Sequence, residues 1–229
     1  MPRSTALCCV TALVLALGVG CSSPEPDGKV PRSKDSSSGS ATAASTEPAT
    51  DALPTAGAPG KVPEDLRDLD WARTSVPGDF CDVAGLITFK SGRAWAQSKT
   101  YGKIHAENVP DQVTYGNVLG DSRVEAAMQV GCDNGGEMGS GRLVWAYLVF
   151  SSEQGQLKVV GTLTPQQDPP GFAVSTFEKV ELSPGRVTAY ENWHREDSDA
   201  LCCPTGKAVT TWTPGADGSL EAGKPRITG

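Results

Sequence analysis

The sequence predicts a mainly β protein: an antiparallel β meander of about eight to ten strands, with at most one short N-terminal helix, preceded by a signal peptide and a disordered linker. Three observations predict it. All 14 aromatic residues lie between Trp71 and Trp212, so the core-forming part of the 229-residue chain is confined to residues 62–229. Within that part, apolar residues alternate with polar ones at the period of a strand rather than a helix. Clusters of Gly, Pro, Ser and Asn interrupt the alternation at short intervals, as hairpin turns do.

The elements follow in order. Residues 62–69 (VPEDLRDL) predict one short helix, with Pro63 near its start and acidic residues in its first turn. Asp82–Phe89 and Arg93–Ala96 predict a hairpin turned at Lys90-Ser91-Gly92. Arg123–Cys132 alternates, with Val124, Ala126, Met128 and Val130 on one face and Glu125, Ala127 and Gln129 on the other. Leu143–Phe150 (LVWAYLVF) is apolar on both faces, as a central strand covered twice would be. Gln156–Thr164 returns beside it after the turn at 152–155, and Pro165–Gly171 (PQQDPPG) breaks the chain. Thr176–Leu182 and Arg186–Trp193 form a hairpin across Ser183-Pro184-Gly185; Val187, Ala189 and Trp193 share one face and Thr188, Tyr190 and Asn192 the other. Lys207–Thr213 and Ser219–Ala222 complete the domain.

Upstream of the domain the chain reads as an address. Residues 1–21 are MPRSTALCCVTALVLALGVGC, with Arg3 the only charge, an apolar run from Ala6 to Leu17 and the small-residue tract Gly18-Val19-Gly20. These are the three regions of a secretory signal. Twelve residues rise about 18 Å as a helix, short of a hydrocarbon core about 30 Å thick, so the expectation is a removable signal (1–20) rather than a permanent span. Gly18-Val19-Gly20-Cys21 resembles the lipobox of bacterial lipoproteins, in which the Cys receives a diacylglyceryl thioether and becomes the first residue; the usual Leu three places before the Cys is Gly18 here, with Leu17 one place further upstream. Lipidation of Cys21 is expected, with plain secretion the alternative; Cys8 and Cys9 leave with the signal. Two acyl chains at about 0.8 kcal/mol per CH₂ hold a protein durably on a membrane. Residues 22–60 contain 8 Ser, 7 Ala, 6 Pro, 4 Thr and 4 Gly, too little apolar surface to offset ordering entropy, so 21–61 is expected to be a disordered tether.

The formal charge is −7, and residues 62–229 alone hold 15 basic and 22 acidic residues. Phosphate binding needs a clustered basic surface, which argues against a nucleic-acid partner. The expected partners are the membrane, through Cys21, and an envelope protein or wall polymer. The signal places Cys81, Cys132, Cys202 and Cys203 in an oxidising compartment. A count of strand ends places all four at one end, which favours two bridges in which Cys202 and Cys203 each take one of Cys81 and Cys132; the alternative is Cys81–Cys132 with a vicinal pair or two free thiols. Zinc has little support without a CxxC pair and with only His105 and His194. No cofactor or metal site is expected.

Several runs resemble one family. Cys132-Asp133-Asn134-Gly135-Gly136, Leu143-Val144-Trp145-Ala146-Tyr147, Gly161-Thr162-Leu163-Thr164-Pro165 and Cys202-Cys203-Pro204-Thr205-Gly206-Lys207-Ala208 with Thr210-Thr211-Trp212 are similar to an actinobacterial-type family of exported lipoproteins with a CCPxGxAxTTW ending. The resemblance implies a β-rich outer domain and attaches no activity to it. The same group often carries an aspartate-rich turn like DxDGDGxxE where this chain has Asn117 to Glu125. Here Leu119 stands at the second acidic place and cannot ligate, so a plain hairpin turn is expected instead of a calcium site.

No GxSxG occurs, and two histidines offer few bases for a triad. His105 is expected in an exposed loop. His194 lies in a mixed-charge loop, Glu191 to Asp199, expected to be solvated. The ligand-facing surface is expected at the loops carrying Asn134, Glu137, Trp193, His194, Asp197 and Asp199, because loops on a rigid sheet commonly carry binding. The expected role is a non-enzymatic binding or accessory domain, anchored by lipid on the outer face of the cell membrane. The alternatives are a wall hydrolase using acidic residues and a disulfide-tied inhibitor or sensor contacting another protein.

Overall fold

The computed structural model describes residues 55–56, 61–135, 141–171, 173–200 and 202–229. The signal peptide, Cys21, most of the tether and Glu137 lie outside the described residues. The part that is described is mainly β, in antiparallel sheets.

Among the described residues there are fourteen strands: β1 Thr55–Ala56, β2 Ser75–Pro77, β3 Leu86–Thr88, β4 Arg93–Ser98, β5 Gly102–Asn108, β6 Thr114–Gly116, β7 Glu125–Asp133, β8 Arg142–Glu153, β9 Gln156–Leu163, β10 Thr176–Ser183, β11 Arg186–Trp193, β12 Gly206–Pro214, β13 Leu220–Ala222 and β14 Arg226–Ile227. Eight of them have six residues or more and the other six have two or three, against the eight to ten strands expected. The expected helix over 62–69 is a single 3₁₀ turn, Leu66–Asp68, capped by the Asp65 carboxylate accepting from the Arg67 N–H at 3.0 Å.

One sheet runs β1-β9-β8-β7-β5-β4, with β6 also on β7; a second runs β10-β11-β12-β13, with β14 on β12; β2 and β3 form a ribbon of their own. The order is nearly sequential, and two-residue turns join β8 to β9 and β10 to β11. Gln154 and Gly155 both have positive φ between the paired residues Glu153 and Gln156, the geometry that matches strand twist.

The seven-stranded sheet is covered on both faces, as the two-sided apolar run in β8 requires. Ala146, Leu148 and Phe150 point into one core with Ala126, Met128 and Val130 of β7, under a layer made by Leu66, Trp71, Val76, Phe80 and Ile87. Tyr147 and Val149 point the other way, with Ala127, Val160 and Leu163, onto Phe177, Val180, Val187, Ala189 and Trp212 of the second sheet.

Two expectations are corrected. Cys81 is bonded to Cys132, and Cys202 to Cys203. The favoured pairing fails on the face, not on the end. Cys132 continues the Ala126-Met128-Val130 side of β7, so its sulfur enters the core opposite the second sheet, where Cys81 lies; Cys202 and Cys203 belong to the second sheet's loop. The turn at Lys90-Ser91-Gly92 is present, but its arms pair only at Lys90 and Arg93. β3 instead pairs with β2, and β4 with β5. His105 is therefore not in an exposed loop; it lies within β5, half-buried.

Candidate functional site

Beyond the second sheet's cover, the outer face of β4, β5, β7 and β8 is a row of polar and aromatic side chains. Directly opposed residues share a face. Trp95 opposes His105, His105 opposes Asp133, and Asp133 opposes Arg142. The next row is Arg93, Glu107, Gly131 and Trp145. The β4 alternation explains it: Ala94 and Ala96 pack on the inner core, which turns Arg93, Trp95 and Gln97 outward.

Trp95 is 61% exposed and nonetheless held in place. The His105 ring meets it edge-on at 5.3 Å between centroids, and the Lys103 ammonium lies 4.7 Å from its ring centroid. The backbone of Gly135, at φ +77°, stands against the ring edge, where a Cβ would come within 3.1 Å of Cη2. Asp133 ties these together. Its Oδ1 accepts from the Gly135 N–H at 2.6 Å and its Oδ2 lies 3.2 Å from His105 Nδ1, so that nitrogen carries the proton in this hydrogen bond. Both oxygens of Asp133 are engaged, and the row neighbours of the His–Asp pair are Trp95 and Arg142. The arrangement offers donors, acceptors and an aromatic face.

Beside Trp145, residues of 164–171 and 173–175, the described parts of the crossover between the first sheet and the second, border an open groove of about 220 Å³. Leu143, Trp145, Pro165, Asp168, Pro169 and Ser175 are among its lining residues. The crossover is pinned at both ends. Glu191, 1% exposed, accepts from the Gln166 N–H at 2.7 Å and from the Thr210 hydroxyl at 2.6 Å. Ser175 donates to the Gln167 carbonyl at 2.7 Å. Trp145 is 9% exposed and its indole N–H is buried with no acceptor. Its Cδ2–Cε3–Cζ3 edge lies over Gly131, where a Cβ would fall 2.7 Å from Cε3. Gly131 is on β7, directly opposite Trp145 of β8.

In the first sheet the end of β7, the start of β8 and the end of β9 are neighbours in the pairing, and in the second sheet the start of β10, the end of β11 and the start of β12 are. Asn134 is exposed there, and Asp197 lies beside Gly171 of the crossover. Trp193 is half-buried, with its indole against Gly206. His194 does not sit in a solvated loop: it is 6% exposed, and Nε2 donates to the Ala200 carbonyl at 3.2 Å. Asp199 accepts from the Thr205 hydroxyl at 2.7 Å and the Arg195 N–H at 2.8 Å; the Thr205 hydrogen bond is the main reason its carboxyl is held below the usual aspartate range.

The turn from Asn117 to Glu125 spends its oxygens internally. Glu125 is fully buried and accepts from the N–H groups of Val118 and Leu119 at 2.6 and 3.2 Å. Asp121 is taken by Arg123, whose Nε donates at 2.8 Å and keeps the carboxyl ionised to lower pH than usual. The residues that the sequence reading passed over are Trp95, His105, Asp133, Trp145 and Asp168. One signal was available: in Arg93-Ala94-Trp95-Ala96-Gln97 the tryptophan alternates with the polar residues, not with the alanines. Comparison with protein-family models, with curated proteins and with solved structures finds no match.

Proposed function

We propose that this chain is an extracytoplasmic binding domain, anchored on the outer face of the cell membrane through lipidated Cys21, that holds a component of the cell envelope without turning it over. One observation carries the reading: a tryptophan 61% exposed on a rigid sheet face, flanked by His105, Lys103, Asp133 and Arg93. Tryptophan left in water forfeits the burial it would gain in a core, and exposed aromatic groups with a polar rim mark binding surfaces. The leader, the tether composition and the two cystine bridges agree with an address outside the cytoplasm.

The test is cosedimentation of the full chain with purified envelope polymer. Trp95→Ala is expected to weaken retention by about tenfold or more while leaving the melting temperature unchanged. Equal retention of the variant would overturn the reading. The anchor is checked by the mass of the N-terminal peptide of the mature protein: a diacylglyceryl group on Cys21 is expected, and an unmodified Cys21 contradicts it.

A further inference from the structure

We propose that Cys202–Cys203 is a reversible redox site, which accepts two electrons from a molecule presenting two neighbouring thiols; the inference is independent of what the Trp95 face binds. The two bridges of this chain differ in access and in what they hold. Cys81 and Cys132 are 1% and 2% exposed and lie in the inner core, out of reach of another molecule's thiolate. Cys202 and Cys203 are both exposed, in the loop between β11 and β12. Exchange requires an attacking thiolate to reach a sulfur, so access selects the second bridge. Cys81 and Cys132 are 51 residues apart, whereas Cys202 and Cys203 are neighbours in the chain. A bridge between neighbours encloses no other residue and removes little freedom from the unfolded chain. The second bridge can therefore open and close while the fold persists.

The step balances with a dithiol. One of its thiolates attacks the sulfur of Cys202 or Cys203; the Sγ–Sγ bond breaks, a mixed disulfide forms and the other cysteine leaves as a thiolate. The second thiolate of the dithiol attacks the mixed disulfide, and the reductant departs as a disulfide. Two electrons pass to this chain, and its two sulfurs take up two protons. The change is confined to the loop, because Trp193 and Gly206 remain paired at its ends. Within the loop it reaches one buried side chain. The Cys203 N–H donates to the Ala200 carbonyl at 2.8 Å, and the same carbonyl accepts from His194 Nε2 at 3.2 Å. His194 is 6% exposed and its Nδ1 has no partner, so that carbonyl is the ring's single polar tie. Opening the bridge frees Cys203 to turn, and the imidazole that shares its acceptor registers the change. Asp199, bonded to Arg195 and Thr205, holds the rest of the loop in either state.

The experiment incubates the native full chain with graded dithiothreitol, alkylates it with iodoacetamide in the absence of denaturant and maps the modified peptides. Cys202 and Cys203 are expected to be alkylated at about tenfold less reductant, or lower still, than Cys81 and Cys132, with the melting temperature unchanged by the selective step. Oxidised glutathione, added after the dithiothreitol is removed, is expected to re-form the Cys202–Cys203 pair. The chain has two histidines, so their ring resonances report separately. The His194 Hε1 signal is expected to move on selective reduction and to return on reoxidation, while that of His105 stays. In a chain carrying Cys202→Ser and Cys203→Ser, the same dithiothreitol should move neither. The inference is overturned if both bridges open together, if Cys202 and Cys203 are alkylated before any reductant is added, if the pair does not re-form, or if the His194 signal ignores the state of the bridge.

Discussion

Glu191 shows how one buried carboxylate can position a surface feature. It stands on the same side of β11 as Val187 and Ala189, inside the second core, and its two oxygens serve Gln166 of the crossover and Thr210 of β12. Replacing it with alanine strands an N–H and a hydroxyl in the interior. Glu191→Ala is therefore expected to cost about 2–4 kcal/mol, read as a lowered urea midpoint. Part of this was legible: the alternation that turns Val187 and Ala189 inward also turns Glu191 inward. Its partners were not, because they lie 25 and 19 residues away and only the fold brings them to it. Trp95 is the opposite case. Its exposure follows from local alternation alone, whereas the support from His105, Lys103 and Gly135 depends on strand pairing.

Among the elements, the six strands from β7 to β12 were all legible, as was the short β13, whereas β2, β5 and β6 were not. β7 to β12 each hold eight or more residues, enough for a period of two to emerge. β2 and β6 hold three each, too few to show any period. β5 has seven residues but only Ile104 and Ala106 are apolar and buried, so it reads as a polar loop until β4 and β7 are placed on either side. The loop between β11 and β12 is ordered by its own side chains, chiefly Asp199. A carboxyl with a depressed folded-state pKa stabilises above its unfolded value, about 3.9, and that stabilisation is lost as pH falls through the folded value. Carboxyl NMR should show Asp199 titrating below the ordinary aspartate range. Thr205→Ala, which removes the largest cause, should move it back up.

At the scale of the molecule, the decisive fact is which side of the first sheet a residue occupies. A count of strand ends carries no information about faces once the chain forms two sheets rather than one. Non-reducing peptide mapping should recover Cys81 joined to Cys132 and Cys202 joined to Cys203. Cys81 and Cys132 are 51 residues apart. Removing that bridge by the paired substitutions Cys81→Ala and Cys132→Ala should lower stability by about 2–4 kcal/mol.

Because β7 and β8 send alternate side chains into two separate interiors, the layers above and below them share the same two strands as their floor. Neither layer can be cut away as a minimal fragment without leaving the remaining one resting on a bare, greasy underside. Shortened versions of the protein must keep all three tiers, and damage introduced in one tier is felt in the other through their common partition.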